Sequence, residues 1–238
     1  GDENVAVGAE AGLGLTSSSY GTYIGYRAGK SITTGHFNTV IGREALDASA
    51  VGVNATVVIG QGAAGASNYD CDSAVVIGYG AMGTGVATSD SDGTVAIGHS
   101  AGAAITSGQR NVALGYNTML ETTVGDSNIA IGYQALVGDG AFQNDSNIAI
   151  GSSHPTGPVL GAMGGQWSGA ASLQNVAIGT GSMAGVMNDA NNNTAVGYKS
   201  MAALTGGDSN VAVGSSAGLA LTSCLLYTSP SPRDRTRS

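Results

Sequence analysis

The stretch Asn128-Ile129-Ala130-Ile131-Gly132 decides the fold. Two branched residues flank an alanine, an asparagine leads them in, and a glycine ends the run. The box recurs along the chain and closes at Gly8, Gly25, Gly42, Gly60, Gly78, Gly98, Gly115, Gly132, Gly151, Gly179, Gly197 and Gly214. Successive glycines stand 17 to 20 residues apart, except for an interval of 28 between Gly151 and Gly179. A short fixed period of this kind marks a solenoid, in which each repeat supplies one coil and neighbours bury what a coil cannot bury alone.

Each box position has its own chemistry. Before the glycine stand Val, Ile or Leu, as at Ile97, Leu114 and Ile131, and two residues earlier only Val, Ile or Thr, as at Val95, Val112 and Ile129. Both positions favour strand. Between them lies Ala in most copies, with Val40, Val58, Val76 and Tyr23 as the variants. A period of two therefore gives one branched face and one mostly alanine face, and both are apolar. Such a strand needs cover on both sides, from its own coil and from another copy of the chain. The alanine row (Ala113, Ala130, Ala149, Ala177) is expected at the assembly axis or a tight inner wall, with the isoleucine row inside each coil.

Eight boxes open with Asn, which tolerates left-handed backbone and bonds its own turn, so it is expected at the corner entering each strand. After the glycine come segments such as Tyr133-Gln134-Ala135-Leu136, read as short second strands, then polar turns such as Gly125-Asp126-Ser127. The fold class is all-β, a parallel β-roll of about twelve coils, roughly 50 Å long at about 4.8 Å per strand. Helical repeats are excluded by the short period and by a glycine in every unit, which would cost about 1 kcal/mol each in a helix. Calcium-binding nonapeptide rolls need an Asp-bearing nine-residue repeat that is absent here.

Composition agrees. Of 238 residues 40 are Gly, and 10% are charged, while 42% are hydrophobic with 5% aromatic, so the core must consist of many thin layers of small side chains. Net charge is −8 without a basic cluster in the repeats, which removes the electrostatic footing for nucleic acid. Cys71 and Cys224 are too few and too far apart for a disulfide framework or a closed metal site. No run approaches a membrane span, so no membrane insertion is expected of this segment, and the opening at Gly1 reads as a cut inside a longer protein.

The box Asn-x-Ala-Ile-Gly at 128–132, 147–151 and 175–179 resembles the head repeat of YadA-like trimeric autotransporter adhesins. In the longer form, with Tyr after the glycine, it is also similar to repeats of phage tail-fibre proteins. The resemblance spans residues 4 to about 223. It implies a left-handed roll assembled as a homotrimer, extracellular on a bacterial surface or virion tail, whose partners are its own copies and a receptor on a host or cell surface, a glycan among the candidates. The repeats here are longer than the roughly 14 residues of the adhesin pattern, and no coiled-coil stalk is present. Residues 1–223 are read as one repeat domain. The tail Cys224–Ser238 breaks the composition, carries three of the eight basic residues and resembles translated adapter read-through, so it is expected outside the fold.

Candidate contact residues follow from position. Tyr26, Tyr79, Tyr116, Tyr133 and Tyr198 directly follow box glycines and could form either a sugar-binding ladder or a stabilising cross-coil stack. The long interval, residues 152–174, carries His154, Pro155, Pro158 and the sole tryptophan, Trp167, either an exposed contact anchor or an aromatic folded back over the roll. The pairs Asp70/Asp72 and Asp90/Asp92 could hold a cation or simply face solvent. His36, His99 and His154 lack the partners of a catalytic motif, and Gly161–Gly165 does not open a helix, so the chain is expected to be no enzyme and to need no cofactor or metal. A filled roll is expected to have no pocket of ligand size. The expected role is a structural and adhesive fibre segment. An ice-binding solenoid and an inert spacer are the alternatives, the first disfavoured because the paired threonines Thr33-Thr34 and Thr122-Thr123 fall in turns.

Overall fold

The computed structural model describes residues 2–48, 52–65, 70–85, 87, 91–138, 143–153, 160–165, 167 and 169–223. His154, Pro155, Pro158, Asp90 and the tail 224–238 lie outside the described residues. The described chain is a parallel β-solenoid with twelve strands of three residues: β1 Val5–Val7, β2 Thr22–Ile24, β3 Thr39–Ile41, β4 Val57–Ile59, β5 Val75–Ile77, β6 Val95–Ile97, β7 Val112–Leu114, β8 Ile129–Ile131, β9 Ile148–Ile150, β10 Val176–Ile178, β11 Thr194–Val196 and β12 Val211–Val213. Each strand is the branched core of one box. They form a single sheet in sequence order, every strand pairing in parallel with its neighbours and box matched to box, as in Ala113↔Ala130↔Ala149.

The expected second strand is a turn. Gln134 and Leu136 have φ of 54° and 50°, and the equivalent Asn117 and Met119 have 52° and 51°, so the segment after the glycine alternates into left-handed backbone and cannot extend. Its amides still bond from coil to coil, Gln134 to Tyr116 O at 3.1 Å and Met119 to Ala135 O at 3.0 Å. The left-handed corner at the strand entry also belongs to a different residue than expected. Ser127 (φ 57°) and Ser146 (φ 58°), one before the asparagine, take it.

The asparagines are freed for another task. Asn111, Asn128, Asn147, Asn175 and Asn193 are fully buried and form a ladder. Asn128 N–H donates to Asn111 Oδ1 at 2.8 Å, its Nδ2 donates to Asn144 O at 2.6 Å, and its own Oδ1 accepts from Asn147 N–H at 2.9 Å. Every rung satisfies a backbone amide and a carbonyl at a corner where the strand ladder has ended, which buried polar groups require.

The two strand faces are the reverse of the expected packing. The middle residues Tyr23, Val40, Val58, Val76, Ala96, Ala113, Ala130, Ala149, Ala177 and Ala195 are fully buried inside the coil, while the branched rows face outward and stay partly exposed. The reason lies on the opposite wall. Leu46, Met82, Met119, Leu136, Met183 and Met201, each four residues after its box glycine, and Met163 in the long repeat are buried in the coil and fill its narrow section, which leaves room for a methyl group from the strand. All six methionines of the chain are buried, suiting a flexible side chain in an irregular gap. Where the strand brings Tyr23 inward, glycine replaces the large residue: a Cβ at Gly29 or Gly21 would stand 2.5 Å from the Tyr23 ring.

The box glycine closes each corner at φ near +130°, and a Cβ at Gly98 would lie 2.3 Å from the carbonyl oxygen of Gly115. The obstacle is backbone, which cannot rotate away. Gly98→Ala is expected to destabilise the roll by at least about 1–3 kcal/mol from backbone strain alone. Thermal unfolding followed by circular dichroism checks this, and an unchanged midpoint would mean the coils are not stacked at this corner.

Candidate functional site

One outward feature is the face made by the two branched rows. Val75 and Ile77, Val95 and Ile97, Val112 and Leu114, Ile129 and Ile131 repeat in register, partly exposed throughout, with Leu114 at 40%. Thr22, Thr39 and Thr194 are the only hydroxyls in these rows. The turn threonines spend theirs on the stack: Thr106 Oγ1 donates to Thr123 O at 3.0 Å and Thr205 Oγ1 to Thr222 O at 2.8 Å. Thr122 is buried, its hydroxyl 3.3 Å from Leu136 O.

Across the box-glycine corner from this face runs an aromatic column. The ring centroids of Tyr79 and His99 are 5.0 Å apart, those of His99 and Tyr116 4.7 Å, and those of Tyr116 and Tyr133 5.5 Å. The structure thus joins Tyr79, Tyr116 and Tyr133 through His99, which a reading confined to tyrosines passes over. Its signal was positional, since His99 directly follows Gly98. Tyr26 and Tyr198 are not in this column. Each is exposed on a separate coil beneath its neighbour's cation, Arg27 at 4.9 Å and Lys199 at 5.4 Å from the ring centroid. A second exposed pair, Tyr20 and Phe37, stacks at 5.1 Å near the N-terminal end.

Trp167 is 1% exposed and belongs to the interior cluster, so of its two readings the aromatic folded back into the roll holds and the exposed contact anchor does not. It stands four residues after Met163, as the buried Met187 stands four after Met183, so the long repeat rejoins the coil before Trp167 and sends the indole inward. Its indole N–H has no hydrogen-bond partner among the described residues.

Three aspartates accept backbone amides from the preceding coil. Asp92 Oδ1 accepts the Asp72 N–H at 2.7 Å, Asp72 Oδ1 accepts the Asn54 N–H at 2.6 Å, and Asp145 Oδ1 accepts the Asp126 N–H at 2.8 Å. Of the two sequence pairs, Asp72 and Asp92 are partly exposed and each also closes a turn onto the preceding coil, while Asp70 is exposed. Among the described residues no group of three or more His, Cys, Asp or Glu side chains could hold a metal ion, and no helix is long and apolar enough to cross a membrane. Near the N-terminal end Lys30, and then Arg27, hold the exposed Glu10 carboxyl below its ordinary pKa, an ion-paired surface cluster.

One concavity departs from the expectation of a filled roll. About 840 Å³ opens at the last described coil, lined by Met201, Ala212, Ala217 and Leu221 among others. These are interior-type positions of the coil seen end-on, with no charged group among them. No family model, curated protein or solved structure matches this chain.

Proposed function

We propose that the chain is a structural and adhesive segment of an attachment fibre, a left-handed roll assembled as a homotrimer and displayed outside the cell, on a bacterial surface or a virion tail. The observation that carries this reading is the outward face of branched residues. Two mainly apolar rows running the length of a twelve-stranded sheet amount to on the order of 500 Å², as large as the largest apolar patch of an ordinary soluble monomer and without a charge to break it. The face repeats in register from coil to coil and carries no charge, so a second and third copy in the same register match it row for row. The repeat resemblance supports the same assembly. Three chains around one axis display each surface feature three times, and weak contacts to a surface with repeated receptors then combine.

Light scattering on the full chain tests the assembly. A particle of three times the chain mass is expected, and a stably folded monomer would overturn the reading.

A further inference from the structure

The aromatic column has a composition and a repeat that select a ligand. Its four rings follow box glycines of four consecutive coils, and Tyr79 (56%), Tyr116 (48%) and His99 are exposed while Tyr133 is partly covered. Stacking at 4.7 and 5.0 Å occupies the ring faces within the column, so what solvent meets is a row of ring edges. Those edges carry phenol hydroxyls and the His99 imidazole, whose Nδ1 lies 3.0 Å from Ser100 Oγ, leaving the Nε2 edge for a ligand. Beside them runs a second column, Ser100, Asn117 and Gln134, all partly exposed. The strip therefore alternates apolar ring area with hydroxyl, imidazole and amide groups at one set per coil, and none of these residues is Asp, Glu, Lys or Arg.

We infer that this strip binds an extended, neutral polysaccharide lying along the stacking direction, one pyranose unit per coil. Sugars present apolar ring hydrogens and polar hydroxyls in alternation, which is what ring edges flanked by amides and hydroxyls complement. The coil repeat of about 4.8 Å is close to the length of one pyranose in an extended ribbon, and three steps give a footprint of roughly 14 Å. The absence of cationic side chains, in a chain of net charge −8, selects against anionic glycans. A curled, helical glucan cannot stay in register with a straight column. The inference deepens the attachment reading by giving its receptor contact a place and a chemistry.

Titration calorimetry of the full chain with cellohexaose, N-acetylchitohexaose and maltohexaose tests it, with light scattering on the same samples. At least one of the two extended hexasaccharides is expected to bind and maltohexaose to bind at least tenfold more weakly. Tyr116→Ala, at an exposed position, should weaken binding by about tenfold, while Tyr198→Ala, outside the column, should leave it unchanged. No binding of either extended sugar at millimolar concentration, tighter binding of maltohexaose, or equal affinity of Tyr116→Ala and wild type would each overturn the inference. Should that happen with the trimer mass intact, the fibre reading stands and only the strip is rejected. A monomer that binds the extended sugars would reject the fibre assembly and keep the strip.

Discussion

Trp167→Ala lowers the stability of the roll by about 3–5 kcal/mol, a shift of roughly 10 °C in melting temperature for a domain of this size. The indole is 1% exposed, is the largest fully buried side chain, and sits in the one repeat stretched to 28 residues. Removing it opens a cavity between coils that are stacked in both directions and cannot slide together. Trp167→Phe should recover most of the loss, because the indole N–H has no partner among the described residues whose bond would be forfeited. Being the sole tryptophan, Trp167 also reports on itself. Its emission should be that of an apolar environment and resist quenching by iodide until the roll melts. Ready quenching in the native protein, or a melting point unmoved by the alanine variant, would return the side chain to the surface.

The strands were legible in the sequence because the box carries strand preference and punctuation together: each of β1 to β12 is the branched triplet before a box glycine. Which face turned inward was not legible. Period-two alternation separates the faces but does not say which is inside when both are apolar. The answer depended on Met119, Leu136 and Met163 across the coil, whose positions are apolar without being strand-like. The second segment was misread for a related reason. Gln134, Leu136 and Met119 show no preference for left-handed backbone, and coil stacking imposes it on them. For the surface, the tyrosine pattern located the column, yet its continuity depended on His99 filling the gap between Tyr79 and Tyr116. Trp167 was ambiguous because an inserted loop conceals where the coil resumes.

Ala130→Asp and Ile131→Asp, adjacent residues on opposite faces of β8, should fail in different ways. Ala130 is fully buried between Ala113 and Ala149, so a carboxylate there has neither water nor a partner and also overfills a section sized for a methyl group. Burying that unpaired charge costs several kcal/mol, and the central coils should lose their structure at temperatures where the wild type is intact. Ile131 is outward and only partly buried, so within one chain its replacement forfeits about 1 kcal/mol of cross-strand contact and lets the carboxylate reach water. In a trimer closed by the branched face, the same substitution places three carboxylates in an apolar interface at one height. Ile131→Asp should then yield a folded chain with native-like circular dichroism and the mass of a monomer, whereas Ala130→Asp should yield a chain that melts early or aggregates. Circular dichroism and light scattering on both variants separate the cases. A trimeric Ile131→Asp would move the interface off the branched face, and a native-like Ala130→Asp would mean that the alanine row is not the inside of the coil.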